Sequence, residues 1–164
     1  MPEVCALARA VGCRCAARPA GASVSGLSPR LAAVVAALPL TPDARVLEIG
    51  CGPGAAARAV AERLVTGHVV AIDRSAAAVA QAAAAGAAQI AAGRLRVRQV
   101  PAEDFVPLPG EGPFDIFFAV RVGALDGRHP QAGVRVLHRL AAAAAPGARL
   151  FVDGGPLREL SLPG

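Results

Sequence analysis

Three hydrophobic patterns alternate along the chain, and together they predict helices alternating with strands. Residues 27–38, LSPRLAAVVAAL, put Leu31, Val34, Val35 and Leu38 on one face at helical spacing, with Ser28 as cap and Pro29 in the first turn. RVLEI (45–49) and HVVAI (68–72) are short apolar runs of the kind buried on both faces of a sheet. Between them, residues 54–65 carry Val60 and Leu64 on one side of a helix. Ser75 caps an alanine-rich helix predicted to reach about Ala92, weakened at Gly86. RLRVRQV (94–100) differs in kind: Leu95 and Val97 alternate with Arg94, Arg96 and Arg98, which predicts an edge strand with a solvated arginine face. FDIFFAV (114–120) is apolar on both faces, a helix is expected over 132–145 until Pro146 and Gly147 stop it, and RLFVD (149–153) reads as a fifth strand before a short tail.

Strands alternating with helices imply an α/β fold, a three-layer sandwich around a mainly parallel sheet with right-handed crossovers. Such sheets take ligands outside the carboxyl ends of their strands, near the topological switch point. The glycine turn after Glu48, the acid Asp73, the Ala102-Glu103-Asp104 segment and the end of the fourth strand at Ala119 all fall there.

Composition narrows the partners. At 164 residues the chain is of single-domain length, and 54% hydrophobic against 18% charged residues indicates a globular core. No uncharged apolar run reaches the roughly 18 residues of a membrane span, so no membrane association is expected. The 17 basic residues are all arginine, the net charge is +5, and alanine, glycine and proline abound, a set that GC-rich codons favour. These arginines are scattered and only 3% of residues are aromatic, so a stacking platform for nucleic acid is missing and a small-molecule substrate is expected instead. Cys13 and Cys15 are one residue apart, unlike zinc ligands, and no histidine pair follows them; with Cys5 and Cys51 they read as reduced thiols of a cytoplasmic protein without a metal site. Glu3, Arg9, Arg14 and Arg18 interrupt any signal-peptide core, so residues 1–26 are expected to be a flexible leader before a domain at 27–164.

The stretch RVLEIGCGPGAAARAVAERL carries the chemistry. Its glycines allow positive φ and close approach of a ligand, and the helix start that follows suits an anionic group. Gly50, Gly52 and Ala55, with Asp73 further on, also satisfy a dinucleotide fingerprint, which keeps an NAD-binding oxidoreductase in view. Three details favour a ligand with an amino-acid end, a ribose and no phosphate. Glu48, two residues before the first glycine, repels pyrophosphate and suits an ammonium; Pro53 removes an N–H donor; and Gly50, Gly52 and Gly54 alternate more tightly than a dinucleotide turn needs.

VLEIGCGPG followed by VVAIDRS resembles the first two motifs of the class I S-adenosylmethionine-dependent methyltransferases, a Rossmann-like family, and the resemblance runs from about Leu27 to Asp153. It implies S-adenosyl-L-methionine as cofactor. Glu48, Gly50, Cys51, Gly52 and Gly54 match the positions that hold its methionine part, Asp73 the acid that holds the ribose hydroxyls, and Arg74 a position bordering adenine. Where relatives commonly carry an adenine-binding Asp this chain has Pro101, so the Ala102 N–H with Glu103 or Asp104 takes that place in the comparison. The resemblance further implies strand order 3-2-1-4-5, with the usual sixth and seventh strands missing and a homodimer partner available to cover the open edge.

The same residues have plainer roles. Glu48 can be a buried acid that ties down the turn, and Asp73 a helix cap, although Ser75 already serves there. Asp115 reads as structural, His68 as inert and His138 as a surface or packing residue, while His129, in RVGALDGRHPQ after the fourth strand, is the one candidate for a base. The reaction expected is in-line methyl transfer to an unidentified small acceptor. Its rivals are an NAD-dependent oxidoreductase and a non-catalytic cofactor-binding or interaction module.

Overall fold

In the computed structural model, which describes residues 27–163, strands β1 (Arg45–Ile49), β2 (His68–Asp73), β3 (Leu95–Gln99), β4 (Phe114–Val120), β5 (Ala144–Asp153) and β6 (Leu157–Leu160) form one sheet in the order 3-2-1-4-5-6. The first five run parallel and β6 antiparallel to β5. The runs that read as doubly buried are so: Val46, Leu47, Val69, Val70, Phe117 and Phe118 have no exposed surface. The expected leader and its three cysteines lie outside the described residues.

Alternating side chains of these strands feed two cores. On one face, Val46, Val69, Ala71 and Phe118 pack under α1 (Pro29–Ala37), α2 (Ala55–Arg63) and α3 (Ala76–Ala85). On the other, Leu47, Ile49, Val70, Ile72 and Phe117 meet α5 (Pro130–Ala142) and Phe105. With few aromatics, α2 packs by alanines: Ala56, Ala57, Ala59 and Ala61 are all buried, which lets the helix lie close to the sheet. The Ser28 and Ser75 hydroxyls accept from Leu31 N and Ala78 N, capping α1 and α3 as their positions predict.

Four expectations change. The alanine-rich helix divides into α3 and α4 (Ala87–Ala91) at Gly86, whose φ of −97° and ψ of 12° leave the helical region; a Cβ there would meet Leu95 Cδ2 at 2.5 Å, so glycine is what lets the break sit against β3. The last helix ends at Ala142 rather than Ala145, since Ala144 already pairs with Phe114 of β4. Arg98 is not part of a merely solvated face: it donates to the buried Glu111 carboxylate at 2.6 Å and lies 5.3 Å over the Phe105 ring. The sheet does not end at five strands. Residues 157–160 return as β6, fastened by two bonds from Arg149 to Glu159 at 2.8 and 2.6 Å, so the outer edge belongs to β6 rather than β5. A four-residue strand reading LREL has no period-two signal, which is why the tail hides it. Among the described residues no helix is long and apolar enough to cross a membrane.

Candidate active site

The carboxyl ends of β1, β2 and β4 open into a cavity of about 570 Å³, a size that suits a cofactor or drug-sized ligand. Its position follows from strand order. The chain leaves β1 toward α2 on one face and leaves β4 toward α5 on the other, so the two turns diverge and leave a crevice between them.

The turn after β1 is held by its own backbone. Gly50 N and Cys51 N donate to Ile72 O at 2.8 and 3.0 Å, tying the turn to the end of β2. Gly50 has φ +70°, and a Cβ there meets Val122 Cγ2 at 2.7 Å, so glycine is what lets the turns after β1 and β4 touch. Gly54, with φ +75° and ψ 22°, begins α2 in left-handed conformation without a side-chain cap.

Asp73 ends β2 and lines the cavity. Its Oδ2 accepts from Gly52 N at 2.9 Å and its Oδ1 from Ser75 N at 2.8 Å. Each carboxylate oxygen accepts about two hydrogen bonds, so one acceptor position on each remains for a neighbouring diol. The two backbone donors fix the carboxylate plane before any ligand arrives.

Glu48 is placed differently. It is 3% exposed, lies on the α2 face of the sheet with Val46, and does not line the cavity. Burial pushes its carboxyl up to about 8; a hydrogen bond from the Ala57 backbone opposes that shift and the charge of Asp73 adds to it. At neutral pH it is mainly protonated, with Oε2 buried and unpaired. The residue is thus a buried acid whose one backbone neighbour in hydrogen-bonding range is Ala57, in the first turn of α2. Cys51 sits beside it, buried, its thiol pushed up to about 12 by burial and then by the negative charges of Glu48 and Asp73, so it is no thiolate nucleophile.

Of the remaining residues singled out by sequence, Gly50, Arg74, Ala102, Glu103 and His129 line the cavity, whereas Cys51, Gly52, Gly54, Asp104 and Ala119 do not. Gly52 donates its N–H to Asp73 and Gly54 opens α2, Asp104 is exposed at the end of a 3-10 turn (Ala102–Asp104), and Ala119 is buried within β4. Asp115 accepts from Arg45 N at 2.8 Å at the opposite end of the sheet, and His68 contacts Glu111 O there. No group of three or more metal-ligating side chains occurs among the described residues.

Sequence reasoning expected residues 119–130 to line an acceptor site without singling out Arg121 or Arg128, and it missed Asp153. Arg121 and Arg128 line the cavity beyond β4. Asp153 ends β5, is 2% exposed, and receives Arg30 of α1 through Nε at 2.6 Å and Nη2 at 2.9 Å. That hydrogen-bonded pairing holds its carboxyl below the usual carboxylate range and pins α1 across the carboxyl end of the sheet. One signal was available: Asp153, like Asp73, closes a buried strand with an acid. Its partner lies 123 residues away, so the pairing itself had none.

A family model described as a methyltransferase domain matches residues 46–147, well over half of the chain. Solved structures similar to the chain include the [4+2]-cyclase SpnF, 27% identical over 75% of this chain and 43% of that one, with a TM-score of 0.61. The mitomycin 7-O-methyltransferase MmcR is 23% identical over 74% of this chain and 34% of its own, at 0.60. A protein from Thermoplasma acidophilum is 18% identical over 69% of this chain and 44% of its own, at 0.55. No curated protein sequence matches. The chain spans between a third and a half of the length of the solved structures it matches. It belongs to the methyltransferase domain family, with the Rossmann-like class I fold that its motifs resemble.

Proposed function

We propose that this domain transfers a methyl group from S-adenosylmethionine to a small-molecule acceptor. Asp73 carries the reading: a carboxylate at the end of β2, oriented by Gly52 N and Ser75 N, facing the cavity with an acceptor position left on each oxygen, suits the two hydroxyls of a ribose. The Gly52 N–H is engaged by Asp73, so at that point the turn offers a carboxylate where a pyrophosphate wants a donor. That favours a cofactor without phosphates over NAD.

Gly50 lets the ligand approach the turn without a Cβ in the way, and Ala102 with Glu103 borders the end of the cavity next to β3. Bound there, S-adenosylmethionine supplies an electrophilic methyl carbon whose sulfur leaves as a neutral thioether. The protein's share is alignment and exclusion of water, which the wall from Val120 to Ala124 and Ala132 performs. His129 lines that wall, and to it we assign the removal of a proton from an acceptor that must lose one.

Calorimetric titration with S-adenosylhomocysteine and, separately, with NAD tests the cofactor. The first is expected to bind and the second not. Asp73→Ala is expected to weaken S-adenosylhomocysteine by about a hundredfold, as the loss of two hydrogen bonds to a charged group implies; unchanged affinity removes Asp73 from the ribose role. Because one matched structure is a cyclase, turnover is read separately, by release of label from methyl-labelled cofactor.

A further inference from the structure

The charges of the cavity are unevenly divided. At the β2 and β3 end the lining holds the acids Asp73 and Glu103 with Arg74; beyond β4 it holds Arg121, Arg128 and His129 and no acid. The two arginines are not equivalent. Arg128 donates to both oxygens of Asp126, at 2.7 to 3.0 Å, and to Arg121 O, so its charge is matched. Asp153, the other acid nearby, has both oxygens engaged by Arg30. Among the described residues the Arg121 guanidinium has no hydrogen-bonded carboxylate. It is the cation of this wall that makes no ion pair of its own: exposed at the rim, it acts on Asp153 only through space, and that carboxylate is already bound by Arg30.

Its backbone is also unusual. Arg121 has φ +57°, left-handed without being glycine, alone in that respect among the described residues. Its N–H donates to Asp153 O at 2.8 Å, which holds the residue in that conformation where β4 ends. A side chain kept at a position whose backbone favours glycine is there for what the side chain does.

We infer that the acceptor of this domain carries a carboxylate, and that Arg121 binds it while the methyl-accepting atom lies deeper, toward Val120 and Gly50. A single free guanidinium matches one carboxylate, planar fork to planar fork, whereas a phosphate dianion calls for more than one free cation. The carboxylate anchors the substrate and is not itself the nucleophile. This inference rests on the methyltransferase reading for the word acceptor, but the anion site stands on its own geometry.

The test titrates benzoate and its neutral isostere benzamide into the protein, with and without S-adenosylhomocysteine, by calorimetry or ligand-observed NMR. Benzoate is expected to bind about tenfold or more tightly than benzamide, and to lose that advantage in Arg121→Gln and Arg121→Gly, because a charge-assisted bidentate contact is gone. The glycine variant suits the observed φ and keeps the fold, so a loss there is a loss of the guanidinium. Equal binding of the two probes, no benzoate binding, or unaltered benzoate binding in both variants overturns the inference. Failure of S-adenosylhomocysteine to bind overturns the cofactor reading instead, and the benzoate arms without cofactor still decide the anion site.

Discussion

The turn after β1 reaches left-handed backbone at Gly50, Gly52 and Gly54, with φ of +70°, +52° and +75°, whereas the turn after β4 reaches it at Arg121, with φ of +57°. The two turns touch, through Gly50 and Val122, and both border the same cavity. In the first, the backbone is the working part: its N–H groups bind Ile72 and Asp73, and glycine is the residue that allows the bend without strain. In the second, an arginine holds the strained position and its side chain projects from the wall. The comparison separates a turn selected for shape from a turn selected for a charge.

The largest expected effect breaks the first turn. In Gly54→Val the new Cβ lies 2.8 Å from Ala82 Cβ and 3.2 Å from Ala82 Cα, at a φ that branched residues avoid. Strain and overpacking together are expected to lower stability by about 2–5 kcal/mol, read as a shift in the urea midpoint at unchanged slope. A loss under about 1 kcal/mol means that α2 and α3 move apart freely and that the glycine is not required for shape.

An intermediate effect concerns the buried acid that precedes that turn in the chain. Glu48 has its carboxyl raised from 4.5 to about 8 in the folded chain, so the native state holds a proton that the unfolded chain releases. Between those values folding takes up a proton, and stability falls as pH rises until it levels above about 8. Glu48→Gln, which carries no titrating group, is expected to flatten that slope in urea unfolding followed from pH 5 to 8.5. Parallel slopes for the two proteins place the Glu48 proton elsewhere.

The smallest effect sharpens the second turn. Arg121→Gly relieves left-handed strain of about 1 kcal/mol and gains back a similar unfolded-state entropy, so the variant is expected to be no less stable than the parent in thermal unfolding. A clear loss of stability means that Arg121 is a structural residue and not a binding one.

Much of this site was legible in the sequence because its signals are local. The apolar runs at 45–49, 68–72 and 114–120 state burial on both faces, the glycines state a backbone, and Asp73 follows its strand immediately. Glu48 was legible as an acid at the right place but not as a protonated, cavity-remote one, because its side-chain face depends on the sheet's register and on how closely the alanines of α2 approach. The break at Gly86 depends on where β3 passes, and β6 on pairing alone.

The sequence by itself therefore determined the first five strands and the helical segments between them, the parallel sheet and the glycine turn with its following acid, all set within a few residues by periodicity, φ preference and capping. Only the tertiary structure decided which charges are matched. Arg30 meets Asp153 across 123 residues, Arg98 meets Glu111 while lying over the Phe105 ring, and Arg121 is left facing the cavity. Pairing of charges is a property of distance in space, and seventeen similar arginines scattered along a chain carry no mark of which acid each will reach.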